Sequence, residues 1–348
     1  MKKMKKLGIL MTLSVTALAL VACGSQKSEQ STDKAASKTQ TSYPLTIKNF
    51  KKGAASKEDG VVSWPESTQT FTQAPKKVVV TTRPMAELLL HLGLEESIAG
   101  VGAVFGDKDT SVEKEFDKLK NLGESYISQE TALSVDPDFV FGRGDLFEKS
   151  EWGVGTVESL NEMNIPTYIM KTSTSGGTFD SIYEDIDHLG QIFDVKTKAD
   201  SFKAELKERE AKLKADVKSA KKAQTFSLIF SNDPDKVTGY ALTGDAFSLS
   251  LFKMVGLKEA YDVPSGEVST EAVIEADPDV LIIPKWGESD AAQKMADSLY
   301  TNEKVSGLKA VKNKQIYVVD YNYMWGYSYQ SLAGFEAFAK ELYPELAK

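Results

Sequence analysis

Arginine is scarce in this sequence. Of 42 basic side chains only Arg83, Arg143 and Arg209 are arginine, and the rest are lysine. A guanidinium is a planar fork of donors that can hold carboxylate or catecholate oxygens in pairs and stays charged when partly desolvated. Against such a preference for lysine, Arg83 and Arg143 are candidates for gripping a negatively charged small molecule, whereas Arg209 lies in a charged helical run and reads as surface. Aromatic residues supply a second chemistry. Trp286, Tyr321, Tyr323 and Trp325, with Met324 among them, offer flat rings for stacking, and the two tyrosines offer phenolate oxygens able to ligate Fe³⁺. Trp152 and Lys171 follow strand-like segments and join the candidate ligand-binding set. His91 and His188 are the only histidines and both lie in helical runs, so a multi-histidine metal site is not expected. No nucleophile elbow, zinc-protease helix or phosphate-binding loop is present, and no enzymatic activity is expected.

The elements that must position these residues alternate. Val78-Val79-Val80 precedes a helical pattern over Met85–Leu92 and a strand over Ile98–Val104, and Phe139-Val140-Phe141 precedes a helical stretch and Thr167-Tyr168-Ile169. After about 45 residues at helical spacing the alternation restarts with Phe226–Phe230, Val280–Ile283 and Ile316–Val319, each followed by a helical pattern. This grammar predicts an α/β protein of two lobes, each a mainly parallel sheet flanked by helices, joined by a long backbone helix or two in succession. Ligands of such sheets bind beyond the carboxyl ends of the strands. That rule places Arg83, Arg143, Trp152 and Lys171 on one lobe and Trp286, Tyr321, Tyr323 and Trp325 on the other.

The halves echo each other. Ser128 to Val140 aligns without gaps on Ser269 to Leu281, sharing Ser, Glu and Asp-Pro-Asp. Taken with Ala74 to Val80, His91 to Val101, Leu160 to Thr167 and His188 to Phe193, in that order, this segment resembles the class III substrate-binding proteins of ABC importers, over roughly residues 74–346. The resemblance implies an iron chelate, a ferric siderophore, held between two lobes, with haem or cobalamin on the same fold as the alternative ligands and a surface adhesin as the alternative role. It also implies delivery to a permease dimer with its ATPase, and one docking glutamate per lobe, Glu130 and Glu271. The iron of such a ligand is cargo rather than a resident cofactor.

The remaining sequence fits an exported protein. Lys2, Lys3, Lys5 and Lys6 precede an apolar run ending Leu20-Val21-Ala22-Cys23, the pattern of a lipoprotein signal, so residues 1–22 would be removed and Cys23 lipidated. Residues 23–42 are polar and read as a tether; the lobes are expected over 43–173 and 223–348, with the helical connection over 174–222. Cys23 is the sole cysteine, which leaves no disulfide. Without the signal, 38 basic residues face 50 acidic ones, which disfavours nucleic acid as a partner. The expectation is a monomer on the outer face of the cell membrane in a bacterium lacking an outer membrane.

Overall fold

The computed structural model describes residues 40–220, 224–231, 233, 236–287 and 289–347. The export signal, Cys23 and most of the tether lie outside these residues. A hairpin comes first, β1 (Leu45–Phe50) and β2 (Glu66–Phe71), paired antiparallel from Leu45–Phe71 to Phe50–Glu66. Asn49 fastens it to the first lobe: its amide donates to the Ile169 carbonyl at 2.9 Å and accepts the Ile169 N–H at 2.8 Å, as a neighbouring strand would.

The first lobe is built from β3 (Val78–Val80), α1 (Arg83–His91), β4 (Ile98–Val101), α2 (Glu113–Phe116), α3 (Gln129–Leu133), β5 (Phe139–Gly142), α4 (Val157–Glu162) and β6 (Thr167–Ile169). Its four strands run parallel in the order β4-β3-β5-β6. Every residue of β3, β5 and β6 is buried, as expected of strands covered on both faces by helices.

Two helices follow, α5 (Ile182–Ile192) and α6 (Lys196–Ala220). The break falls at Asp194, whose φ of 55° lets the Val195 N–H close back on the Gly190 carbonyl at 2.8 Å. With 25 residues α6 spans about 37 Å. Its buried residues Ala199, Phe202, Leu206, Leu213 and Val217 recur at helical spacing. At one end Phe202 stacks on His91 of the first lobe, with ring centroids 4.4 Å apart; farther along, Arg209 binds Glu336 of the second lobe at 2.8 Å. The helix is therefore a strut along both lobes.

The second lobe comprises β7 (Gln224–Ile229), β8 (Gly239–Ala241), α7 (Ala246–Met254), β9 (Leu257–Glu259), β10 (Gly266–Val268), α8 (Thr270–Ala276), β11 (Val280–Lys285), α9 (Ala291–Leu299), α10 (Lys309–Lys312), β12 (Ile316–Asp320), α11 (Tyr321–Trp325) and α12 (Gln330–Leu342). Strands β9, β7, β11 and β12 pair in parallel, while β8 and β10 extend one edge antiparallel.

The internal repeat has a shared physical basis. Ser128 and Ser269 cap α3 and α8, each accepting a backbone N–H three residues on at 3.2 Å. Asp136 and Asp277 then end these turns with φ of 50° and 42°. The second aspartate of each Asp-Pro-Asp reaches back to the start of the lobe's first strand: Asp138 accepts the Lys77 N–H at 2.8 Å and Asp279 the Thr225 N–H at 2.9 Å.

A β-carbon placed on Gly190 would lie 2.6 Å from that of Ala199, so α5 and α6 approach more closely than any side chain at 190 allows. Gly190→Leu is expected to lower stability by roughly 1–3 kcal/mol through overpacking, although leucine is the better helix former. Urea unfolding measures this, and an unchanged midpoint would contradict the packing account.

Candidate ligand cleft between the lobes

The carboxyl ends of the strands from both lobes converge. At the end of β5, a β-carbon on Gly142 would fall 1.8 Å from the Thr81 hydroxyl oxygen, so glycine is required there, and that oxygen accepts the Arg143 N–H at 3.1 Å. The backbone thus fixed sends Arg143 towards the other lobe. Its Nε and Nη2 donate to the two carboxylate oxygens of Asp145 at 2.6 and 2.5 Å, and its Nη1 donates to the Tyr321 hydroxyl at 3.2 Å and the Trp325 carbonyl at 3.1 Å. The rings of Tyr126 and Tyr327 flank the guanidinium at 5.3 and 5.6 Å. Burial tends to raise the Asp145 carboxyl, but the adjacent guanidinium outweighs it and holds the group below the usual carboxylate range.

Opposite lies the aromatic cluster. Asp320 accepts the Asn322 N–H at 2.9 Å, which turns the chain from β12 into α11 and sets Tyr321 and Trp325 on one helical face with their rings 5.1 Å apart. Trp286, just beyond β11, stacks on Tyr321 at 3.7 Å with 25° between planes. Phe105 of the first lobe approaches both rings, at 6.2 and 6.4 Å, and packs edge-on against Tyr126. Phe230, at the end of β7, meets Trp325 at 5.9 Å. Phe230 and Trp286 remain 43% and 42% exposed, large apolar surface on a polar rim, and they wall a small cavity of about 50 Å³. The Tyr126 hydroxyl is buried beside that of Tyr321, and burial pushes its phenol well above the ordinary range. Two larger hollows, ≈ 420 and ≈ 480 Å³, lie elsewhere: one by Asp138 and Pro166 at the strand starts, one along α6 by Glu210 and Lys214.

The candidates from sequence are distributed unevenly. Arg143, Trp286, Tyr321 and Trp325 meet in the cleft. Arg83 does not: it is 7% exposed inside the first lobe, where its Nη2 donates to the Val104 carbonyl at 2.5 Å and its guanidinium lies over the Phe116 ring. Lys171 is paired with Glu184 of α5 at 2.6 Å, and Trp152 stands exposed on the loop after β5 with no ring partner among the described residues. Tyr323 packs against Gly334 of α12, and burial, followed by the charge of Asp107, pushes its phenol far up. Sequence reasoning missed Phe105, Tyr126 and Phe230; it placed Asp145 in the strand-end segment with Arg143, two residues before it, but gave it no role of its own. His91 binds Asp109 and His188 binds Tyr168, both at 2.8 Å and both outside the cluster. Glu130 and Glu271 are exposed in the first turns of α3 and α8, and neither forms an ion pair among the described residues.

Residues 78–323 match the sequence model of a family described as periplasmic binding protein. The chain belongs to the periplasmic binding protein family. Within it, this chain is similar to YvrC of Bacillus subtilis, an uncharacterized ABC transporter substrate-binding lipoprotein, at 25% identity covering 99% of each chain. It is also similar to YclQ of the same organism, a petrobactin-binding protein, at 25% identity covering 91% of this chain and 92% of that one. Among solved structures, a periplasmic binding protein from Veillonella parvula shares the fold with a TM-score of 0.72 at 21% identity, covering 86% of this chain and 99% of that one.

Behind the cleft, where α1 meets the loop around Asp109, Glu87 is 1% exposed, accepts the Asp109 N–H at 3.2 Å and lies 3.9 Å from Arg83. Burial is the larger influence and pushes its carboxyl from 4.5 up to about 8. A carboxyl whose pKa rises on folding holds its proton more tightly in the native state. Stability from this group is therefore greatest below the ordinary value and is lost as pH rises through the folded value. Glu87→Gln keeps an acceptor and has no proton to lose. Its Tm relative to wild type is expected to rise between about pH 5 and pH 8.5; a pH-independent difference would mean Glu87 is ionised throughout.

Proposed function

We propose that this protein is the extracytoplasmic, lipid-anchored substrate-binding component of an ABC importer, and that it captures an iron chelate between its lobes. The observation that carries this reading is the cleft itself: in a periplasmic binding protein, strand ends of two sheets bring Arg143 against Trp286, Tyr321 and Trp325. Stacking surface and a partly desolvated polar floor suit a compact organic chelate. The similarity to YvrC over nearly the whole of both chains supports the importer role and the lipid on Cys23, and that to YclQ supports a siderophore as the ligand. Tyr321, with its hydroxyl in the cleft, is the better placed of the two tyrosines to approach the iron. The protein acts as a monomer towards the permease, with no chemistry on the ligand.

Trp286 and Trp325 are two of four tryptophans, so ligand entry should change the intrinsic fluorescence. Titration with ferric siderophores is expected to give a saturable change that is lost in Trp286→Leu. Absence of a response to every ferric siderophore, with a Soret band on adding haem, would move the assignment to haem.

Glu130 and Glu271 occupy equivalent positions of the repeat, one per lobe, and complement a two-fold symmetric basic surface on a permease dimer. Replacing both with Ala is expected to cut uptake sharply at unchanged ligand affinity, and replacing both with Arg to cut it further. Normal uptake by the double variant would exclude these residues as the docking pair.

A further inference from the structure

The charges around the cleft point to a property of the ligand that goes beyond the reading above while resting on it. The fork of Arg143 is already engaged side-on by Asp145, at 2.6 and 2.5 Å. The other cations near the strand ends are matched as well. Lys285 lies 3.7 Å from Asp107 across the lobes, Lys171 2.6 Å from Glu184, and Lys52 is bonded to Glu148. The loop after β7 adds Lys236, but its sequence also carries Asp233 and Asp235. Arg83, the second arginine that could have supplied positive charge, is enclosed in the first lobe.

These pairs differ in what they expose. The Arg143 side chain is 8% exposed and that of Asp145 46% exposed, so within the pair it is the carboxylate that solvent reaches and the guanidinium that is covered. The remaining Arg143 donors are directed at Tyr321 and Trp325 on the opposite lobe, where they tie the lobes together. A polyanion entering here would meet a carboxylate first and would have to separate a bidentate pair to reach the cation. A ligand of low net charge would meet no such opposition, and the Trp286–Tyr321 stack would still be there to bind it.

We infer that Asp145 is a specificity-determining residue: by cancelling and covering Arg143 it tunes the cleft to chelates of low net charge and against polyanionic ones. Arg143 is then chiefly an interlobe clasp, and Asp145 positions it.

The test uses the full-length protein and three probes of different charge: a neutral ferric trihydroxamate, a trianionic ferric tris-catecholate and ferric citrate. Affinities are measured by tryptophan quenching for the wild type, Asp145→Asn and Asp145→Glu, each confirmed as folded by its thermal transition. The wild type is expected to bind the trihydroxamate at least about tenfold more tightly than either anion. Asp145→Asn keeps an acceptor for Arg143 but removes the charge, and should raise the ratio of tris-catecholate to trihydroxamate affinity by about tenfold or more, with Asp145→Glu holding the wild-type ratio. A wild type that prefers the trianion, or a ratio unmoved in Asp145→Asn, overturns the charge assignment while leaving iron-chelate capture standing. Failure of the wild type to bind any of the three overturns both.

Discussion

The relation between the lobes rests on hydrogen bonds from one short segment, Tyr321–Gln330. Within it the Asn322 amide donates to the Phe105 carbonyl at 2.8 Å, the Ser328 hydroxyl to the Pro84 carbonyl at 3.0 Å and the Tyr329 hydroxyl to Asp109 at 2.6 Å, while the Tyr327 carbonyl accepts from Thr172 at 2.6 Å. Most of these groups are buried, and breaking such a bond without replacement costs about 1–3 kcal/mol for the orphaned group. The segment therefore fixes where the second lobe's aromatic rings stand relative to Arg143. The strut α6 supports the same geometry from behind, since Phe202 touches both His91 and Tyr329.

Cleft and joint are thus one construction. Tyr321 and Trp325 take part in both, stacking in the cleft while receiving the Arg143 donors that span the lobes. Trp325 is held from below as well, its indole N–H donating to Asp245 at 3.0 Å, and Asp245 in turn caps α7 through the Ser248 N–H at 3.1 Å. The positions of Tyr321 and Trp325 are therefore set by helix ends rather than by loops, which favours a preorganised aromatic floor over one that assembles on binding.

Much of this was legible in the sequence where local chemistry decides the outcome. The βαβ alternation follows from strand composition and spacing, and the Asp-Pro-Asp repeat from turn chemistry that acts within a few residues of itself. The strands β8, β9 and β10 were not anticipated: they are as short as the all-valine β3 but carry glycine or charged residues, Gly239, Lys258, Glu259, Gly266 and Glu267, where β3 is wholly apolar. Tyr321–Trp325 read as a strand-end loop, but Asp320 caps it into a helix. Arg83 shows the limit most clearly. Its type and its place after β3 were as informative as those of Arg143, yet α1 begins at Arg83 itself and carries the side chain inward over Phe116. Which way a side chain leaves a helix start depends on tertiary packing. Phe105 and Tyr126 were invisible for the same reason, since only the folded loops bring them opposite Tyr321.

The bonds made by Tyr321–Gln330 have one more consequence, which concerns how the molecule is made rather than how it works. Those to Phe105, Pro84, Asp107 and Asp109 close sequence separations of 217, 244, 223 and 220 residues. The parallel strands of each lobe, by contrast, pair across far shorter stretches, β3 with β4 over about twenty residues. Chain entropy makes long closures the costlier ones to reach from the unfolded state, and non-local topology slows folding. The joint that sets the cleft thus holds hydrogen bonds that span more than 200 residues each. Its assembly depends on a segment that the ribosome delivers only after the described strands of both sheets have been synthesised.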